Sequence, residues 1–165
     1  MRAIQISRHG GPEVLTPVEV DVPSPGPGEV LVRTRAIGVN YIDTYFREGV
    51  YERDLPFIPG SEGAGVIEAV GEGTPDLVAG DRVAWCQVPS SYAQYVVAPA
   101  ESVVTVPEGI DDDVAASMLL QGLTAHYLIT DTHRASAGDH VLITAGAGGV
   151  GQLLIQLAAV SYTHL

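Results

Sequence analysis

Residues 140–158 read HVLITAGAGGVGQLLIQLA, and this sequence is the strongest indication of how the last part of the chain folds. An apolar, strand-like run enters a glycine-rich turn and leaves as a helix with apolar residues at helical spacing. This order suits a dinucleotide pyrophosphate, because glycines let the backbone approach the phosphates and a helix N-terminus offers free N–H groups and partial positive charge. The stretch therefore predicts the opening unit of a dinucleotide-binding α/β fold.

The turn matches the pattern G-x-G-x-x-G at Gly146, Gly148 and Gly151. The pattern alone is weak, but the preceding strand and following helix are the context that confirms it. Two alternatives are a ligand-free βα turn and a methyltransferase loop, which usually has an acidic residue where this chain has Thr144 or Ala145. The residue that separates NAD from NADP lies about 20 residues beyond the glycines, outside this chain.

The chain before this stretch is rich in short β-segments separated by Gly and Pro. Closely spaced short strands indicate a barrel or a sandwich, and one helix is predicted over residues 40–48. The predicted strands cover residues 2–7, 14–20, 29–39, 63–70, 81–86, 92–98 and 102–106.

The pattern changes at Asp111, where three consecutive aspartates supply an N-cap and negative charge for a first helical turn. Residues 114–129 then carry apolar residues at helical spacing, and Gly122 is expected to divide them into two helices. A polar connector is predicted over residues 130–138. The expected organisation is a β domain (1–110), interdomain helices with the start of an α/β domain (111–159), and a tail (160–165).

Composition excludes several classes of partner. The net charge is −12, with acids spread along the chain, so nucleic acid and anionic lipid surfaces are repelled. The sequence has neither the apolar run that a membrane span needs nor a secretory signal at its start. The single cysteine, Cys86, cannot form an internal disulfide. We therefore expect a cytoplasmic protein without nucleic-acid or membrane partners.

Co-linear motifs along the chain carry a family resemblance. They are HGGPEVL at 9–15, GVNYIDTY at 38–45, PGSEGAGVI at 59–67, GDRV at 80–83, QGLTA at 121–125 and AGGVG at 147–151. Together they resemble the quinone oxidoreductases of the medium-chain dehydrogenase/reductase superfamily. The resemblance implies a GroES-like β-barrel domain followed by a Rossmann domain, with NADPH in the cleft between them.

The same resemblance implies that the α/β domain is incomplete, since only its first strand–helix unit is present. The tail at 160–165 departs from the family pattern, and we expect a truncated reading frame or a non-native joining sequence there. A strand at 141–144 without neighbours would leave both its edges unpaired. The fragment alone is therefore expected to be inactive and marginally stable.

The superfamily divides by its use of zinc. Zinc-dependent members carry Cys where this chain has Asn40 and His where it has Ser61, and their four-cysteine lobe is impossible with one cysteine. No metal site is therefore expected, and an alcohol would lack the Lewis acid that lowers its pKa. The resemblance implies zinc-independent, NADPH-dependent reduction of a quinone or α,β-unsaturated carbonyl by a full-length homodimer.

By resemblance, Asn40 and Thr124 lie beside the nicotinamide of the cofactor. An alternative for Asn40 is to cap the following helix, and an alternative for Thr124 is a hydroxyl bonded back into its own helix. The residues placed by resemblance at the pyrophosphate are Gly146, Gly148, Gly149, Val150 and Gly151.

Tyr45 and Tyr51 correspond to the substrate-pocket tyrosines of the family and are the predicted catalytic residues. A phenol can stack on a flat quinone and give a proton or a hydrogen bond to the reduced oxygen. The alternative is that Tyr41, Tyr45 and Phe46 only pack the short helix against the β domain. Two other functions stay open: a non-catalytic NADPH-binding or structural protein on this scaffold, and an enoyl-reductase module of a larger synthase.

Overall fold

The computed structural model describes residues 1–136 and 138–161. They fall into two compact units, Met1–Ser117 and a second that begins at Met118. The strands are β1 (Arg2–Gln5), β2 (Thr16–Glu19), β3 (Glu29–Gly38), β4 (Glu62–Val70), β5 (Arg82–Cys86), β6 (Tyr95–Pro99) and β7 (Val103–Thr105). The α-helices are α1 (Tyr41–Glu48), α2 (Asp112–Tyr127) and α3 (Gly149–Ser161). Short 3-10 turns lie at Pro12–Val14 and Ala100–Ser102, and a π-helical turn at Leu128–Thr132.

The first unit is built on two antiparallel sheets. β1 pairs with β2, and a five-stranded sheet has the order β6-β3-β4-β5-β7. β3 pairs with β4 along its length and with β6 along its first half. Single bridges at Ala3–Ala93 and Ile6–Phe57 join β1 and the residue after its end to the segments that precede β6 and β4. In the part of the chain that the structure describes, β6 and β7 do not pair, so the predicted barrel is an open sheet.

The core of this unit forms around Trp85, whose side chain is fully buried. Its indole N–H donates to the Ser91 hydroxyl at 2.9 Å, and that hydroxyl donates to the Val88 carbonyl at 2.7 Å. Gly63 lies opposite Trp85 in the register of β4 and β5, and a Cβ there would approach the indole within 2.5 Å. The alternation of apolar residues that predicts the strands therefore also explains this core.

The expected break at Gly122 is wrong, because α2 runs through it without interruption. Glycine lowers helix stability by roughly 1 kcal/mol relative to alanine, and the neighbouring turns of α2 are stable enough for the helix to continue. Part of the connector predicted over residues 130–138 is also helical, since the π-helical turn extends to Thr132. Residue 137 of that connector and residues 162–165 of the tail lie outside the described residues.

The strand predicted over residues 141–144 is absent from the described structure. Its side chains still alternate, since Val141 and Ile143 pack on a cluster containing Ile129 and Ala158 while Leu142 is 90% exposed. A strand is defined by bonds to a neighbour, and no described residue pairs with this segment. Within the described residues, no helix is long and apolar enough to cross a membrane.

Gly122 gives a test of this helix. A Cβ at this position would meet no atom within 4 Å, so alanine fits without a clash. We expect Gly122→Ala to raise the free energy of unfolding by about 0.5–1 kcal/mol, because alanine loses less backbone freedom on folding. Urea denaturation of the purified protein measures this change. An unchanged or lower midpoint would mean that the helix is interrupted at Gly122.

Candidate functional site

Asn40 lies at the N-cap of α1 and is 6% exposed. One turn into the helix, the Asp43 carboxylate accepts a hydrogen bond from the Asn40 backbone N–H at 3.0 Å. This is the return bond of a capping box, which fixes how the chain enters the helix. Asn40 therefore caps the helix, as one alternative from the sequence predicts, and its cofactor role stays a prediction.

A buried carboxylate holds the side chain of Asn40. Glu62 is the first residue of β4 and is 1% exposed, and its Oε2 accepts a hydrogen bond from Asn40 Nδ2 at 2.9 Å. A buried carboxylate without partners would be costly, and this bond offsets part of the cost of burying both groups. The start of β4 thereby fixes the amide at the start of α1.

A second long-range contact reaches the same helix end from the loop before β6. The Tyr92 hydroxyl donates to Asp43 Oδ2 at 3.0 Å. Burial and the neighbouring Asp43 carboxylate, which both disfavour the phenolate, raise the pKa of Tyr92 well above its ordinary value. Gly60 has φ of 88°, and a Cβ there would meet the Tyr92 ring at 2.2 Å, so glycine is required beside the tyrosine.

The predicted catalytic tyrosines lie together at the other end of α1. The helix ends at Gly49, whose φ is 77°, and the chain turns back so that Val50 and Tyr51 donate to the Tyr45 carbonyl at 2.9 and 3.3 Å. The Tyr51 ring then packs edge-to-face on Tyr45, with centroids 5.5 Å apart, and Tyr41 packs on Tyr45 at 5.3 Å. Tyr45 is 36% and Tyr51 47% exposed, so the rings pack together and still present an open aromatic surface.

The glycine turn belongs to the second unit. Ala145 has φ of 51°, and its carbonyl accepts a hydrogen bond from Gly148 N–H at 2.9 Å. A Cβ on Gly151 would lie 2.3 Å from the Ala145 carbonyl oxygen and 2.8 Å from Gly146 Cα. Both of these atoms are backbone and cannot move aside as a side chain can, so the turn requires glycine at position 151.

The helix after this turn offers donors suited to a phosphate. α3 begins at Gly149, so the N–H groups of Gly149, Val150 and Gly151 lie in a first turn, where a helix supplies no internal acceptor. The next N–H, of Gln152, bonds to the Gly148 carbonyl at 2.9 Å. The positive end of the helix dipole adds to these donors. A dinucleotide pyrophosphate therefore fits the chemistry of this turn.

Thr124 also belongs to the second unit and lies on α2. Its hydroxyl donates to the Leu120 carbonyl at 2.6 Å, one turn earlier in the helix. This is the helix-bonded alternative that the sequence offers. A contact between Thr124 and a nicotinamide stays a prediction.

Sequence reasoning assigned no role to Glu62, Asp43 or Tyr92. Asp43 follows Asn40 by three residues, the spacing of a capping box, and this local signal could have identified it. Glu62 is an acid inside a run of glycine and apolar residues, which is unusual for a buried strand. For Tyr92 the sequence holds no local signal, since its partner is 49 residues away.

No three His, Cys, Asp or Glu side chains among residues 1–136 and 138–161 are grouped so that they could hold a metal ion. Asn40 and Ser61, on which the expectation of zinc independence rests, lie beside Glu62 in the first unit, since Ser61 precedes Glu62 in the chain and Asn40 bonds to it. Asn40 commits its side-chain nitrogen to that glutamate.

The sequence model of the alcohol dehydrogenase GroES-like domain family matches residues 26–108. This match covers half of the chain, and the chain belongs to that family. The predicted fold class is thereby confirmed, with an open sheet in place of a closed barrel.

Quinone oxidoreductases and a related reductase are similar to nearly the whole chain. The quinone oxidoreductase of Pseudomonas aeruginosa is 45% identical over 159 residues, and the 2-haloacrylate reductase of a Burkholderia species is 44% identical over 163 residues. These alignments cover 95% and 94% of this chain but 49% of each relative. The structure of Escherichia coli quinone oxidoreductase complexed with NADPH matches with a TM-score of 0.93 at 38% identity, over 97% of this chain and 50% of that one. The resemblance to quinone oxidoreductases is confirmed, and the chain spans about half the length of these relatives.

The raised pKa of Tyr92 predicts how stability depends on pH. The unfolded chain loses this phenolic proton near pH 10, whereas the folded protein keeps it, so rising pH above about 10 favours unfolding. We expect Tyr92→Phe to lower the melting temperature at pH 8, because the bond to Asp43 is lost, and to flatten the further decline between pH 9.5 and 11.

Thermal melts across this pH range test the prediction. They use a protein that contains this chain and has the full length of the relatives, called the full-length protein below. Tyr95→Phe, on the neighbouring strand β6, is the matched control and should keep the wild-type slope. Parallel curves for wild type and Tyr92→Phe would show that Tyr92 does not carry this pH dependence.

Proposed function

We propose that the full-length protein is an NADPH-dependent reductase that transfers a hydride to a quinone or an α,β-unsaturated carbonyl without zinc. The observation that carries this proposal is the glycine turn, in which a backbone clash requires Gly151 and the first turn of α3 presents free N–H donors. The turn lies in a chain similar to a quinone oxidoreductase that was solved with NADPH.

The proposed cofactor contacts follow from the chemistry of each group. The backbone of the turn and the first residues of α3 would hold the pyrophosphate. Asn40 and Thr124, a neutral amide and a hydroxyl, would orient the nicotinamide without adding charge beside it. The proposed pyrophosphate residues are Gly146, Gly148, Gly149, Val150 and Gly151. When bound, NADPH supplies the hydride.

The proposed substrate surface is the aromatic face of Tyr45 and Tyr51. A flat quinone or enone can stack on the partly exposed rings, whose edge-to-face packing holds them in place. A quinone that accepts a hydride also needs one proton, and the Tyr45 phenol is a suitable donor to the reduced oxygen. Two electrons and two hydrogens then reach the substrate, which leaves as the hydroquinone.

Zinc independence is proposed from the residues that replace the ligands. The Asn40 side chain is an amide and not a thiolate, and it already donates to a buried carboxylate. The Ser61 hydroxyl is a weaker ligand for zinc than the imidazole of a histidine. A quinone or enone is electrophilic and does not need a metal to accept a hydride. A cytoplasmic location is proposed from the single cysteine, which fits a reducing compartment, and a homodimeric state from the resemblance.

Activity is tested by following NADPH absorbance in the full-length protein with a panel of quinones, enones and simple aldehydes. We expect turnover with quinones or enones, at a rate that a chelator does not reduce. NADPH binding without turnover on any compound would favour the non-catalytic alternative and contradict the proposal.

The role of Tyr45 is tested by Tyr45→Phe, which keeps the ring and removes the phenol. We expect kcat to fall by about 10²-fold, the lower range for a general acid, with little change in the KM for the quinone. Tyr95→Phe on β6 is the control for loss of a phenol elsewhere. A kcat for Tyr45→Phe within twofold of wild type would remove Tyr45 from the reaction.

The pyrophosphate site is tested by Gly151→Ala, which places a methyl group against the Ala145 carbonyl. The turn must shift to accept it, so we expect the Kd for NADPH to rise at least tenfold, a cost of about 1.4 kcal/mol. Gly122→Ala serves as a control, since its methyl group has open space. Fluorescence titration gives both Kd values, and an unchanged Kd for Gly151→Ala would place the pyrophosphate elsewhere.

A further inference from the structure

We propose that Glu62 is a positioning residue that fixes the side-chain amide of Asn40 in one orientation toward the nicotinamide. This inference rests on the proposed function, because it assigns a purpose to Asn40 as a cofactor contact. Nothing in the motif that contains Glu62 points to this role from sequence alone.

The orientation follows from what a carboxylate can do. An ionised carboxylate has acceptors only, so the nitrogen of the Asn40 amide, and not its oxygen, must face Glu62 Oε2. A neutral partner such as glutamine could accept or donate, so the bond at position 62 would no longer favour one orientation of the amide. The hydrogen bond of 2.9 Å to Glu62 favours the same orientation as the capping-box bond from the Asp43 N–H to the Asn40 side chain.

The protein also builds a space for this carboxylate. Gly38 on β3 pairs with Glu62 on β4, and a Cβ on Gly38 would lie 2.8 Å from Glu62 Oε2 and 2.2 Å from the Ala116 carbonyl oxygen. Any side chain at position 38 would displace the carboxylate from Asn40. Cys86 pairs with Glu62 from the other side, on β5. Glu62 is thus held between two strands with its carboxylate directed to the amide.

A fixed amide has a direct consequence for a nicotinamide. The carboxamide of that ring has a donor side and an acceptor side, and it binds best to a partner with one defined arrangement of donor and acceptor. If the amide could adopt two orientations, fixing one of them on binding would cost entropy and weaken the binding of the nicotinamide. Glu62 would therefore act on the cofactor only through Asn40.

A purely structural role for Glu62 makes a different prediction, and a double-mutant cycle separates the two. We expect Glu62→Gln in the full-length protein to raise the Kd for NADPH about fivefold, because a charge-assisted bond gives way to a neutral one. In an Asn40→Ala background the same substitution should change the Kd less than twofold, since the amide it acts on is gone.

The matched control is Glu68→Gln, on the same strand, where the carboxylate is half exposed and pairs with Arg33 at 3.2 Å. It should leave the Kd at the wild-type value. Glu62→Asp is the second variant, because it keeps the charge but withdraws the carboxylate by one methylene, and it should raise the Kd as Glu62→Gln does. The inference would be overturned if the fold-change in Kd of the double variant equalled the product of the fold-changes of Glu62→Gln and Asn40→Ala. A wild-type Kd in either Glu62 variant would also overturn it.

Two readouts do not need the cofactor. Burial and the Glu62 carboxylate raise the pKa of the Cys86 thiol, so Glu62→Gln should speed alkylation of the Cys86 peptide at pH 8, measured by mass spectrometry. In NMR spectra, Glu62→Gln should shift the Asn40 side-chain NH₂ signals, assigned by their loss in Asn40→Ala, and Glu68→Gln should not.

These readouts separate the two proposals. Normal NADPH oxidation by the wild type with unshifted Asn40 signals in Glu62→Gln would overturn the positioning role alone. Shifted signals in a protein that oxidises no NADPH would leave the Glu62–Asn40 arrangement intact and overturn the proposed reductase function.

Discussion

The hydrogen bond from the Asn40 amide to the buried carboxylate of Glu62 is the interaction on which the first unit's candidate site depends. It joins the start of β4 to the start of α1, and α1 carries the tyrosines proposed to meet the substrate. Breaking this hydrogen bond would leave the Glu62 carboxylate buried without its partner, which would strongly destabilise the folded state. The bond therefore keeps Asn40 and Glu62 together. Asp43, bonded to the Asn40 backbone and to Tyr92, secures the same helix end from another direction.

Local patterns in the sequence were sufficient for most of the fold. Alternating apolar residues and Gly/Pro turns located the strands of the first unit to within a few residues, and the glycine turn located the start of α3. Two failures have physical causes. Gly122 lowers helix propensity without removing a hydrogen bond, so α2 continues through it. Residues 141–144 have strand-like alternation, but a strand also needs a paired neighbour, and none of the described residues provides one.

The site was predictable only in part. Residues close together in the sequence could be predicted to lie together, whereas residues far apart in the sequence could not. Asn40, Tyr45 and Tyr51 lie in or beside one short motif, and the reversal at Gly49 brings the two rings together by local geometry. Glu62 is 22 residues from Asn40, and its partnership exists only once β3 and β4 are in register. Such pairs depend on tertiary structure, which no spacing rule along the chain describes. Of the two roles considered for Asn40, capping is present in the structure, with the amide nitrogen donating to Glu62, and the cofactor contact stays a prediction.

We propose that the glycine turn binds the pyrophosphate of NADPH and that the amide of Asn40, held by Glu62, contacts its nicotinamide. A crystal structure of the full-length protein with NADPH tests it most directly. We expect the pyrophosphate within hydrogen-bond distance of the N–H groups at the start of α3, and the nicotinamide carboxamide against the Asn40 side chain with its bond to Glu62 retained. A pyrophosphate bound away from that turn, or an Asn40 amide turned so that its oxygen faces Glu62, would contradict it.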